Sequence, residues 1–198
     1  MSSNATELKA HLRLKLRAES QRCSCADRAT ASAQICQRVQ EQDFWKGARA
    51  VLFYFPLREE PDIHPLFAVA LAEGKNAAFP RYCQQDGHYE TCEVLDLDRD
   101  LQTGTFGIPE PAARCPIFDP KRLDLVLVPG VGFALSGIRL GRGKGYYDRL
   151  LAQIPGFKCG LAFEWQVAVE IPAESHDICV DCILTPARCH MVAEQRGR

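Results

Sequence analysis

Three cations set among glycines are the side chains of this sequence best suited to chemistry. Between Gly130 and Gly145 the chain places six of its fourteen glycines, and among them stand Arg139, Arg142 and Lys144. Glycine permits positive φ and close approach of a ligand to the main chain, while guanidinium and ammonium groups donate charged hydrogen bonds to phosphate oxygens. The combination suits a polyanion. Downstream, Tyr147, Leu150, Leu151 and Ile154 fall at i, i+3, i+4 and i+7, the stripe of an amphipathic helix. The loop would therefore enter a helix N-terminus, which adds free N–H groups and a favourable dipole. Asp148, in the first turn, either balances that dipole or holds Mg²⁺ beside a bound polyphosphate. Two common phosphate loops are excluded. Gly145 follows Lys144 where a Walker A loop needs Ser or Thr, and Gly141-x-Gly143-x-Gly145 lacks the dinucleotide spacing.

The elements that must position this loop can be read in order. Leu8, Leu12 and Leu16 recur every four residues with Lys9, Arg13, Lys15 and Arg17 around them, predicting an amphipathic helix over 6–19 with a basic face. A second helical pattern opens at Asp27 and runs through Ile35 and Val39 towards Phe44 and Trp45. Ala50 to Phe55 is an apolar, aromatic run suited to a central strand, ended by Pro56. Pro61 is then expected at a first helical position, which puts Glu60 in the loop at the carboxyl end of that strand. Ligands gather at that edge of open α/β sheets, although an acid there would equally favour the helix N-terminus. Asn76 to Tyr82 predicts another strand, and residues 83–101 a hairpin around Asp86-Gly87. Prolines at 109 and 111 stiffen the stretch after Phe106, which either packs the loop or serves as a platform for a flat ring.

Asp124 to Val128 reads as a buried strand stopped by Pro129-Gly130. Lys158 to Phe163 is a further strand. The stretch 176–186 alternates around Asp181, an acid that is costly in a strand unless a cation, a metal ion or solvent meets it. His176 reads as structural, and Gln195 to Arg198 as a frayed end. Strands alternate with helices and no repeat or long linker intervenes, so we expect a single α/β domain over 1–198, its core about 6–186, with a largely parallel central sheet flanked by helices.

Composition narrows the function classes. A chain of 198 residues can bury about 70% of its unfolded surface. A net charge of −1 argues for a local anion pocket over a nucleic-acid track. No run is long and apolar enough for a membrane span or a signal peptide, so a cytoplasmic location is expected. Ten cysteines in a chain of this length are expected as reduced thiols. The spacings Cys23-x-Cys25 and Cys179-x-x-Cys182 do not make a regular zinc site.

Pro129-Gly130-x-x-Phe133 followed by Gly137-x-Arg139-Leu140-Gly141-Arg142-Gly143-Lys144-Gly145-Tyr146-Tyr147-Asp148-Arg149 closely resembles the signature of the 5-formyltetrahydrofolate cyclo-ligase (5,10-methenyltetrahydrofolate synthetase) family. The resemblance spans roughly 8–186. It implies an enzyme that uses ATP, with Mg²⁺, to close 5-formyltetrahydrofolate to 5,10-methenyltetrahydrofolate. Carried over residue by residue, it implies an ATP site of Lys9, Arg13, Gly141, Arg142, Gly143, Lys144, Gly145 and Tyr146. It implies a folate site of Phe55, Glu60, Phe106 and Tyr147, with Arg142, Lys144 and Tyr147 catalytic, and metal ligands Asp148 and Asp181. Arg139 is expected to support the loop or pair with an acid. Two departures stand out: a basic position expected a few residues before Lys9 falls near Ala5, and Ala134 replaces the Asp usual after Phe133. The second leaves open a non-catalytic member binding nucleotide or RNA.

Overall fold

The computed structural model describes residues 2–168 and 170–193; the expected frayed end at 195–198 lies outside them. The chain opens with α1 (Ser2–Arg22), α2 (Cys25–Glu41) and the short α3 (Asp43–Gly47), then β1 (Ala50–Leu52), α4 (His64–Ala72), β2 (Asn76–Cys83) and β3 (His88–Glu93). A minor hairpin follows the single turn α5 (Leu97–Asp100), formed by β4 (Leu101–Thr103) and β5 (Pro109–Pro111). Next come β6 (Leu125–Val128), β7 (Gly132–Ala134), β8 (Arg139–Leu140), α6 (Tyr146–Leu151), β9 (Phe157–Leu161), β10 (Val167–Ala168), β11 (Cys182–Leu184) and β12 (Cys189–Met191).

The main sheet has the order β12-β11-β9-β6-β1-β2-β3. Its inner pairs are parallel and its two outer pairs, β11/β12 and β2/β3, antiparallel. The expected largely parallel α/β sheet is therefore present. Alternation along β6 sorts the two cores: Leu125 and Leu127 face α2, α3 and α4 with Ile35, Val39, Trp45 and Leu66, while Val126 and Val128 face Leu150, Leu151 and Ile154. Each such Leu is fully buried, and its truncation to Ala would cost about 2–5 kcal/mol. No helix among the described residues is long and apolar enough to cross a membrane.

Several local expectations shift. On α1 Leu16 is buried, but Leu8 is 49% exposed while Lys9 is 6% exposed. The helix is thus turned by its ion pairs as well as its leucines. Helix α2 starts earlier than Asp27 because the Ser24 hydroxyl caps it, accepting from the Asp27 N–H. The ladder of β1 stops at Leu52, with one further bond from Phe53 N–H to Ala78 O. Pro61 does not open a helix; Pro65 does so, one residue into α4. Helix α6 spans only six residues, and Pro155-Gly156 stops its continuation shortly afterwards.

Candidate functional site

The loops leaving the carboxyl ends of β1 and β6 meet at one edge of the sheet, where they and α1 enclose a cavity of about 570 Å³. The cationic loop forms one side of it. Gly143 has φ 97° and Gly145 φ 64°, conformations open to glycine, and Gly145 delivers the chain into α6. Arg13 fastens the loop from α1, its Nε donating to Gly141 O at 2.8 Å.

Four of the expected phosphate-facing groups, Lys9, Arg13, Arg142 and Lys144, line this cavity, but in different states. Arg142 Nη2 lies 3.2 Å from Glu59 Oε2 and 3.7 Å from Glu60 Oε1, with 42% of its side chain exposed. Such a half-exposed pair is weakly held, so the guanidinium is free to exchange its partner. The Lys144 ammonium rests 4.4 Å from the Phe106 ring centroid. Lys9 is bound differently: its Nζ donates to Glu174 Oε2 and Asp177 Oδ2, both at 2.7 Å. Burial opposes its charge, yet the two carboxylates prevail and its pKa is raised above 10.5. With both acids upon it, Lys9 presents little net positive charge to a ligand, and it joins α1 to the 174–177 loop.

The wall beside these cations is aromatic. Phe106 and Tyr146 stack at 6.1 Å, Tyr82 donates to the Tyr146 hydroxyl at 3.2 Å, and Phe55, Tyr89, Ile108 and Pro109 complete the surface. Two buried carboxyls sit within it. Glu60 accepts from Leu57 N–H at 3.0 Å, and burial raises its pKa although Leu57 and Arg142 pull it down. Glu110 accepts from Tyr82 N–H at 3.2 Å and is likewise raised by burial. The Tyr147 hydroxyl is buried and, among the described residues, has no hydrogen-bond partner. Burial pushes its pKa far up, so it is a neutral phenol with a proton to give.

The expected metal pair is not brought together. Asp148 lines the cavity and accepts from Arg139 Nη2 at 2.9 Å through Oδ2, while Oδ1 has no described partner. Asp181 lies just before β11, at the amino edge of the parallel sheet, and its carboxylate accepts from Lys158 N–H at 2.7 Å. That edge is opposite the cavity. The acid expected within a strand is instead the residue preceding one, where a backbone N–H and solvent satisfy it. The acids that do reach the cavity from this region are Glu174 and Asp177; with His176 their ligand atoms lie within 4.8 Å of one another. Arg139 does what was expected of it: buried, it pairs with Asp148 and lies 5.3 Å from the Tyr147 ring.

The Ala134 departure also has a structural reading. Ala134 is 1% exposed within the β7/β8 hairpin, whose turn is closed by Ala134 N–H to Ile138 O and Gly137 N–H to Ala134 O. Backbone bonds order this turn without an acid. Sequence reasoning missed Tyr89, Glu110, Glu174 and Tyr54 as cavity residues. Glu110 stands between the two prolines already singled out, and its position there was the available signal; nothing local marks the others.

A family model for the 5-formyltetrahydrofolate cyclo-ligase family matches residues 5–186. A 5-formyltetrahydrofolate cyclo-ligase of Mus musculus is 28% identical over 188 residues, covering 89% of this chain and 91% of the relative. A probable 5-formyltetrahydrofolate cyclo-ligase of Schizosaccharomyces pombe is 31% identical over 173 residues, covering 79% and 84%. Among solved structures, the Aquifex aeolicus 5,10-methenyltetrahydrofolate synthetase superposes with a TM-score of 0.85 at 32% identity, covering 96% of each chain. A signature loop, a cavity that gathers its cations beside an aromatic wall, and a match over nearly the whole length agree: the chain belongs to the 5-formyltetrahydrofolate cyclo-ligase family.

Proposed function

We propose that this enzyme closes 5-formyltetrahydrofolate to 5,10-methenyltetrahydrofolate at the expense of ATP, in the cytoplasm. One observation carries the reading: a single cavity is lined by a cationic glycine loop and, directly beside it, by an aromatic wall with the buried Glu60. A polyphosphate and a flat reduced pterin would lie side by side there.

The formyl oxygen of an amide is a poor leaving group. Its attack on the γ-phosphorus forms an O–P bond and releases ADP, after which N10 attacks the formyl carbon, the C–O bond breaks with loss of phosphate, and the N10 proton passes to solvent. Phosphoryl transfer needs positioning and charge neutralisation more than a protein nucleophile. Arg142 would leave Glu59 and Glu60 for the phosphates, Lys144 would approach from above Phe106, and Arg13 would hold the loop. Glu60 would accept hydrogen bonds from the pterin's N–H groups. The neutral Tyr147 hydroxyl would donate to the formyl region, where its proton has no other described taker. Phe55, Phe106 and Tyr146 would flank the ring.

The donor set fits magnesium, which takes hard oxygen ligands and keeps phosphate oxygens and water among them. Asp148, through the Oδ1 that has no described partner, would hold it beside the phosphates, while Glu174 and Asp177 stay engaged by Lys9; bound, it would neutralise phosphate charge. The test is an absorbance assay for the methenyl product with purified protein, ATP, Mg²⁺ and 5-formyltetrahydrofolate, omitting each in turn. Product that forms equally well without ATP would overturn the reading.

A further inference from the structure

We propose that Gln166, which does not line the cavity, is a positioning residue that sets the place of Glu60 for the folate substrate. Gln166 is fully buried in the turn after β9. Its Oε1 accepts from Phe163 N–H at 2.9 Å, and its Nε2 donates to Gly130 O at 2.9 Å and Glu59 O at 3.2 Å, with Val131 O at 3.4 Å. Those partners belong to the loops that follow β9, β6 and β1. One amide thus joins all three at the sheet edge where the cavity opens.

The bond to Glu59 O reaches the site directly, because that carbonyl belongs to the peptide whose nitrogen is Glu60 N. Glu60 N–H donates to Leu57 O at 2.9 Å and the Glu60 carboxylate accepts from Leu57 N–H at 3.0 Å, so residues 57–60 form one closed turn. Beyond it, the Tyr54 hydroxyl fastens Pro61 O at 2.8 Å. The turn therefore has a tie on its far side and Gln166 on its near side. The only other described polar tie is the half-exposed Arg142 pair with Glu59 and Glu60, which is released if Arg142 moves to phosphate. At that moment Gln166 supplies the one described hydrogen bond between the Glu59–Glu60 peptide and the β6 loop, with Arg139 attracting Glu60 only through its charge. A buried primary amide with both ends engaged is well suited to this, since its bonds are directional and water does not compete.

The inference rests on Glu60 holding the folate, and a double-mutant cycle separates the two claims. Dissociation constants for 5-formyltetrahydrofolate and for a non-hydrolysable ATP analogue would be measured by calorimetry on the wild type, Gln166→Met, Glu60→Gln and the double variant, each checked for cooperative thermal unfolding. We expect Gln166→Met to raise the folate Kd about 10-fold and the nucleotide Kd less than about 3-fold, as for one lost directional bond. In the double variant the folate effect should fall well short of the product of the single effects, because an unplaced Glu60 has less to lose. Should Gln166→Met fail to fold, Gln166→Asn keeps a neutral amide while shortening its reach to Glu59 O by one methylene, and the same cycle applies. If Glu60→Gln leaves folate binding unchanged, the role of Glu60 itself is refuted and the inference falls with it. If Glu60→Gln weakens binding but the Gln166 effect is absent, equal for both ligands, or fully multiplicative, Gln166 is only a structural amide.

Discussion

The Arg139–Asp148 pair offers a quantitative test of how the cationic loop is held. Their side chains are 6% and 14% exposed, and the Nη2 to Oδ2 distance is 2.9 Å. With an effective dielectric constant near 20, charges at that separation attract by about 6 kcal/mol before desolvation is counted. Desolvation removes much of that gain, but deleting one partner leaves the other charge buried, a change that typically costs about 3–5 kcal/mol. Asp148 keeps some access to water, so Asp148→Ala should lie near the lower bound, about 3 kcal/mol. For a chain of this size that is a loss of about 6–12 °C in Tm. Arg139→Met should cost a similar amount, since Asp148 loses its only described side-chain partner. The double variant should be scarcely worse than either single one, giving a coupling energy of about 2 kcal/mol or more. Thermal unfolding without nucleotide or metal measures all four proteins, and added salt should change the coupling little because the pair is shielded from solvent. Small single losses that simply add in the double variant would refute the pair as the anchor of the loop.

Further expectations concern turnover and pH. Replacing Lys144 by Ala should lower kcat roughly 10²–10³-fold, as for loss of a preorganised donor to developing charge, and an unchanged rate would remove it from the mechanism. Phe106→Ala, which strips one face from the aromatic wall, should raise the KM for folate more than that for ATP; the reverse order would reassign the wall. Because burial raises the Glu60 pKa above 4.5, its carboxylate should be lost on acidification sooner than an exposed one, so the acid limb of kcat/KM lies above that value and disappears in Glu60→Gln. The stability sign is opposite: a raised folded pKa gives a contribution that is complete below 4.5 and lost as pH rises through the folded value, so Glu60→Gln should be more stable than wild type at neutral pH. A less stable Glu60→Gln at pH 7 would contradict the burial assignment. Asp181→Asn keeps an acceptor for Lys158 N–H at the opposite sheet edge, and should leave the Mg²⁺ titration of activity unaltered; a shifted titration would return that residue to the metal site.

What the sequence determined by itself was whatever is local or periodic. The glycine loop and its cations are contiguous, so their function as a unit shows in one dimension, and positive φ at Gly143 and Gly145 is a property those residues bring with them. Alternation and apolar runs likewise announced β2, β6 and β9 and the parallel α/β arrangement. Glu60 was placed correctly in the loop after β1 even though the proline that opens the next helix is Pro65 and not Pro61. Only the tertiary structure decided which acids meet which cations. Whether Asp177 or Asp181 reaches the cavity turns on where β11 begins, and a four-residue difference in sequence carries a side chain from one edge of the sheet to the other. The burial of Lys9 between Glu174 and Asp177, 165 and 168 residues away in the chain, follows from how α1 crosses the 174–177 loop. Nothing local in the sequence marks Gln166. Its importance comes from the three carbonyls and one amide N–H that meet around it only when the ends of β1, β6 and β9 lie side by side, and the direction of such bonds is a property of the fold.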